Sequence, residues 1–192
     1  MKKLCFTTMI AALLFSILGC TQKQNDQLTQ QQKEQISKEI KVVVDSIFAR
    51  VEKLDARWLE YYADSPDWGM LNADGSRWDY QTTKKAQPDF FNSVVSWKWT
   101  TTHETFIFLT KDMVICSLDG KDETILKSND KLIANKPLNS LYGKDDTSMK
   151  LGDKIIYDPH AYTLVFKKIE GQWKVIYSHD SGIQVTQKAE KK

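Results

Sequence analysis

The sequence predicts an α+β domain in which helices cover one face of a curved antiparallel sheet. Three stretches predict it. Residues 162–181, YTLVFKKIEGQWKVIYSHDS, alternate apolar and polar side chains on both sides of Glu170-Gly171, the pattern of a β-hairpin. Residues 36–54 place Ile36, Ile40, Val43, Val44, Ile47, Phe48, Val51 and Leu54 at spacings of three and four, one stripe of an amphipathic helix. Between them, residues 97–109 and 113–118 alternate as two strands joined at Lys111-Asp112.

The hairpin sets the register expected of the rest. With Glu170-Gly171 as a two-residue turn, Phe166 faces Val175, Leu164 faces Tyr177, Tyr162 faces His179 and Lys168 faces Trp173. Strand alternation then gathers Tyr162, Leu164, Phe166, Trp173, Val175, Tyr177 and His179 on one apolar face, which the helix must cover. Thr163, Lys167, Lys174 and Ser178 lie on the other face with Val165 and Ile176. A longer turn with a bulge at Gly171 is the other geometry this tip allows.

The chain opens with Lys2-Lys3, an apolar run from Leu4 to Leu18, and Gly19-Cys20. That run is short for a membrane span and fits the core of a signal peptide. Ile17-Leu18-Gly19-Cys20 resembles the lipobox of bacterial lipoproteins, which implies cleavage after residue 19 and lipidation of Cys20. A diacylglyceryl group plus an amide-linked, palmitate-type chain would anchor the protein stably. Thr21 stands where an inner-membrane retention aspartate would, so the expected location is the cell envelope of a Gram-negative-type bacterium, outer membrane over inner.

With the leader removed, the 27 basic side chains fall to 25, equal to the 25 acidic ones. Nothing is left of a basic footprint for nucleic acid. Cys116 is then the one thiol besides Cys20, so no intramolecular disulfide is expected, and its setting in Met113-Val114-Ile115-Cys116 reads as a buried small hydrophobe. Residues 20–35 form the lipidated cysteine and a glutamine-rich tether with too little apolar surface to order itself. One domain is expected over residues 36–184, followed by a charged tail at 185–192.

Within that domain the helix is expected to continue, after a bend, into Trp58, Leu59 and Tyr62, ending before Ser65-Pro66. Asn72-Ala73-Asp74-Gly75 predicts a tight turn between stubby strands at 68–71 and 77–80. A short helix is expected after Pro88 through Phe90, Phe91, Val94, Val95 and Trp97, and residues 124–126 could start a further strand.

Leu59-Glu60-Tyr61-Tyr62-Ala63-Asp64, then Asp74-Gly75, then the closing Gly171-Gln172-Trp173 through His179-Asp180-Ser181 resemble the SnoaL-like, ketosteroid-isomerase-like branch of the nuclear-transport-factor-2-like superfamily. The resemblance implies a cone: a strongly curved antiparallel or mixed sheet wrapped around the long N-terminal helix, with a pocket at the open end. Residues 127–154 are an insertion relative to that pattern, expected to be either a lid over the mouth or a loop packed on the outer sheet.

The same resemblance supplies a test for catalysis. Ketosteroid isomerases carry an aspartate base at a position that falls near Asn72 here, and Asn72 cannot take a proton, while Asp74 suits a turn. The catalytic candidates are therefore weak: His179 and His103, both by strand parity, and Asp74. His160, beside Pro159, is expected in a loop. No pattern calls for a metal or a cofactor. Pocket candidates are Trp58, Tyr62, Trp97, Trp99, His103, Tyr162, Trp173, Tyr177 and His179, whose rings suit a small hydrophobic ligand.

These observations converge on a membrane-anchored lipoprotein carrying a small-molecule-binding or accessory domain without catalysis. An isomerase, hydrolase or dehydratase acting on a small hydrophobic substrate in the cone is the first alternative. A homodimerisation module using Val165 and Ile176 on the outer sheet face is the second.

Overall fold

A computed structural model of the chain describes residues 28–72, 75–127 and 153–187. The leader, Cys20, residues 21–27 of the tether, Asp74 and residues 128–152 of the insertion lie outside them, and so does the expectation of a lid.

Helix α1 (Gln30–Glu52) begins earlier than its first apolar residue because Thr29 and Gln32 form a capping box, each side chain accepting from the other's backbone N–H. It buries Ile36, Ile40, Val44 and Ile47. The helix stops where Leu54 adopts a left-handed φ of 53°, and a 3-10 helix (Ala56–Tyr61), capped by Asp55, carries the chain onward. Strands β1 (Gly69–Leu71) and β2 (Arg77–Trp78) pair around Gly75, whose φ of +81° is open to glycine at no steric cost.

Helix α2 (Tyr80–Ser93) corrects the helix expected after Pro88. Asp79 caps it by accepting from the Thr82 N–H at 2.7 Å, and Pro88 lies inside it. Val94, Val95 and Trp97, expected in that helix, instead open strand β3 (Val94–Thr110), as a β-branched pair followed by alternating tryptophans favours. Strand β4 (Met113–Leu126) runs unbroken through the region where two separate strands were expected. The 16-residue strands β5 (Lys154–Ile169) and β6 (Gln172–Gln187) form the closing hairpin.

The six strands form one sheet in the order β2-β1-β6-β5-β4-β3, antiparallel except for β1 beside β6. It is a mixed, curved, open sheet with α1 packed on its inner face, an α+β fold as expected. Val114, Cys116, Leu118, Leu164, Phe166 and Val175 are 2% exposed or less and meet the α1 stripe. Burial pushes the Cys116 thiol up to about 12, which makes it an inert core residue. At the hairpin tip, Trp173 donates its indole N–H to Glu39 at 2.9 Å and lies under the Lys168 ammonium. Trp173 thus ties the tip to α1.

Three bulges re-aim the strands. In β6, Phe166 pairs with Val175 as the sequence predicts, but Val165 pairs with Tyr177, leaving Ile176 as an extra residue. The cause lies on the other edge of β6, where Ala63 N–H bonds the Val175 carbonyl at 2.9 Å while β1 takes over from Tyr177 onward. In β3, the register slips at Thr102, whose hydroxyl donates to the Asp119 carbonyl. In β5, Asp158 and Pro159 together oppose Lys121 alone, so that Tyr157 and His160 are both buried.

Candidate functional site

Bulges and helices together leave a cavity of about 160 Å³ at one end of the sheet. An apolar cavity of about 150 Å³ is enough to hold a benzene ring. Its walls come from every layer: Ile47, Phe48 and Val51 of α1, Trp58 and Tyr62 around the 3-10 helix, Phe90 and Phe91 of α2, and Trp97, Tyr162 and Leu164 of the sheet. The rings interlock. Phe48 stacks on Trp97 with centroids 5.9 Å apart, and Trp58 meets Tyr62 edge-on at 5.0 Å.

Against these apolar walls stands one polar cluster, built by three adjacent strands. His160 of β5 is 3% exposed; its Nδ1 lies 4.0 Å from Asp122 Oδ2 of β4 and its Nε2 lies 3.8 Å from Asp180 Oδ2 of β6. Both separations exceed hydrogen-bond range, and neither ring nitrogen has a hydrogen-bond partner among the described residues. The imidazole is held by shape instead. Tyr162, Tyr157 and Trp99 surround it at centroid distances of 4.6, 5.1 and 5.5 Å, and Gly182 lies so close that an added Cβ would come within 3.0 Å of the ring.

Asp122 is fixed from both oxygens: the Trp97 indole N–H donates to Oδ2 at 2.7 Å and the Thr124 hydroxyl to Oδ1 at 3.1 Å. Burial nevertheless pushes its pKa up to about 6, because desolvation outweighs the stabilisation from His160 and those two donors. Burial also raises the phenols of Tyr62 and Tyr162, aided by the nearby aspartates, so both stay protonated donors at neutral pH.

Other buried polar atoms on the cavity wall also lack partners. Asn72 donates to the Ser76 hydroxyl at 2.9 Å, but its Oδ1 is unpaired, as are Ser178 Oγ and Trp58 Nε1. Asn72 and Ser178 are 2% and 3% exposed. An unpaired buried polar group is costly, roughly 1–3 kcal/mol, so several around one cavity point to something that completes them.

The structure sorts the expected site residues into three groups. Trp58, Tyr62, Trp97 and Tyr162 line the cavity. Trp99 packs behind it against His160 and Tyr162, and its ring covers Gly120, while Trp173 is committed to Glu39 at the hairpin tip. His103, Tyr177 and His179 are turned away by the bulges. Past Thr102 the buried side of β3 passes to Glu104, Phe106 and Phe108, leaving His103 exposed beside Thr105. Past Ile176 it passes to Ser178 and Asp180, leaving Tyr177 and His179 half-buried away from the cavity wall.

His160 moves the opposite way, from an expected loop to the centre of the cluster. The signal for it lay in the chain, since His160 shares parity with Tyr162, Leu164 and Phe166 once the strand is extended past Pro159. Asp122 was similarly in phase with Val114, Cys116 and Leu118. Asp180 and Ser178 had no such signal, because it takes the bulge at Ile176 to turn them inward.

No family model matches the sequence, and no curated protein matches it either. Solved structures do. A scytalone-dehydratase-like protein from Novosphingobium aromaticivorans superposes with a TM-score of 0.63 at 8% identity, covering 85% of this chain and 94% of its own. A hexachlorocyclohexane dehydrochlorinase from Novosphingobium barchaimii gives 0.60 at 11% identity over 83% and 94%. A nuclear-transport-factor-2-like superfamily protein from Salmonella enterica gives 0.58 at 11% over 78% and 92%. At such identities the likeness speaks for architecture. The fold of this chain is nuclear-transport-factor-2-like.

Proposed function

We propose that the mature protein is a lipoprotein anchored through Cys20 in the bacterial envelope, with a domain that binds a small, largely apolar, ring-bearing molecule in the cavity. One observation carries the binding reading: an aromatic-walled cavity whose buried polar atoms on Asn72, Trp58, His160 and Ser178 have no partner among the described residues. A ligand with one ring and a polar substituent would satisfy both parts of the wall.

The test is a fluorescence and thermal-shift screen of single-ring ligands against wild type and Ala86→Trp, which places an indole on the α2 side of the cavity. Binding to wild type that is lost in Ala86→Trp supports the reading. Equal responses in both proteins would overturn it. The anchor is tested separately by mass spectrometry of membrane-extracted protein, which should begin at Cys20 and carry added acyl mass.

A second reading is favoured by His160 between two aspartates. In an elimination, His160 would accept a proton from a carbon of the bound ligand, the C–H electron pair would form the double bond, and a leaving group on the neighbouring carbon would depart. Dehydratases and a dehydrochlorinase among the similar structures carry out reactions of that outline by name. His160→Gln should then lower turnover of a responsive substrate by about 100-fold or more while ligand affinity changes little. Unchanged turnover in that variant would leave the binding domain as the whole function.

A further inference from the structure

The cavity has a charge character that bears on which ligands it accepts, an inference that rests on the binding reading above. Two carboxylates, Asp122 and Asp180, face its interior, and among the described residues that line it there is no lysine or arginine. Each Asp122 oxygen already accepts one bond, from Trp97 and from Thr124. Asp180 has His160 near it only at 3.8 Å, with its side chain 16% exposed.

Two of the four residues with unpartnered atoms on this wall, Asn72 and Ser178, point the same way, while Trp58 and His160 each carry an N–H donor. Asn72 Oδ1 is an obligate acceptor, Ser178 Oγ can accept, and both are more than nine-tenths buried on the wall of this cavity. Acceptors and a carboxylate at a site walled by Trp58, Tyr62 and Tyr162 match an ammonium group, which has three donors, opposite charge to Asp180 and an affinity for aromatic faces. A ligand carboxylate would instead meet two like charges in a poorly hydrated space, where repulsion is strong.

We propose that the cavity selects ring-bearing amines, with Asp180 as the counter-charge and Asn72 and Ser178 as neutral acceptors, and excludes ring-bearing carboxylates. A neutral hydroxyl in place of the amine satisfies the acceptors without the charge and binds between the two.

The experiment measures dissociation constants of phenethylamine, 2-phenylethanol and phenylacetate for the full chain at pH 7.5 by titration calorimetry or NMR. The expected order is amine tighter than alcohol, with phenylacetate at least tenfold weaker than the amine. Asp180→Asn should weaken the amine about tenfold while changing the alcohol less than threefold, so the alcohol doubles as a check that the variant is folded. Asp180→Glu, which retains the charge, should keep the amine preference.

If the alcohol binds and phenylacetate binds as tightly as the amine, or if Asp180→Asn leaves the amine preference intact, the selectivity is overturned while the cavity remains a binding site. If Asp180→Glu loses the preference along with Asp180→Asn, the charge is not its source and the assignment fails. If none of the three binds wild type, the binding reading falls, and the amine proposal with it.

Discussion

The two halves of the β5–β6 hairpin share one backbone plan and do opposite work. Toward the tip, Phe166, Val175 and Trp173 are 6% exposed or less, and even the Trp173 indole N–H is paired with Glu39. Toward the open end, His160 and Ser178 are equally buried yet leave their polar atoms unpaired. The single extra residue Ile176 separates the halves. A bulge flips side-chain parity, so the same two strands present a satisfied core at one end and an unsatisfied cavity at the other.

The sharpest way to break the contrast is to truncate one residue in each half. Phe166→Ala, at 0% exposure in the core half, should cost about 3–5 kcal/mol in denaturant titrations. Next in size is Asp122→Asn beside the open half. Because burial raises the Asp122 pKa from an ordinary 3.8 to about 6, the folded state holds this proton more tightly than the unfolded chain does. The resulting stabilisation is complete below pH 3.8 and is lost as pH rises through about 6. Asp122→Asn, locked neutral, should therefore be more stable than wild type at pH 7.5 by about 2–3 kcal/mol, at about 1.4 kcal/mol per pKa unit, and equal to it near pH 3.5. A variant that is less stable at both pH values would show that the Trp97 and Thr124 bonds need the carboxylate itself.

Ser178→Ala is smaller again. Removing a hydroxyl that has no partner should shift stability by less than about 1 kcal/mol, with a gain the more natural sign, while ligand affinity falls. A loss approaching that of Phe166→Ala would mean the open half is ordinary core.

How much of this was legible in the sequence follows the same divide. The helix stripe, the hairpin tip and the pairing of Phe166 with Val175 are local consequences of periodicity and of a Glu-Gly turn, so the chain displays them directly. The α+β architecture follows from them. The site is not local in that sense. It depends on Thr102, Ile176 and the Asp158-Pro159 pair, where a strand accommodates a neighbour by adding a residue, and no alternation rule announces which residue will be the extra one. Strand parity carried past such a point picks the wrong partner of each adjacent pair, which is why His179 stood in for Asp180 and Tyr177 for Ser178. Proline beside His160 hid the third member, since Pro159 reads as the end of a strand rather than as its bulge.

His179 offers the smallest expected effect and the cleanest test of the register. It pairs with Thr163, is half-buried and lies off the cavity wall. His179→Gln should change stability by no more than about 0.5 kcal/mol, as surface sites usually behave, and leave the affinity for any cavity ligand unchanged. His160→Gln, in contrast, alters a ring packed against Tyr157, Tyr162 and Gly182 and should cost more stability than His179→Gln. NMR titration of the two imidazoles with a bound ligand separates the cases directly: the His160 ring signals should move on binding and the His179 signals should stay in place. If the His179 signals move instead, β6 runs without its bulge at Ile176, and the residues that face the ligand are Tyr177 and His179 rather than Ser178 and Asp180.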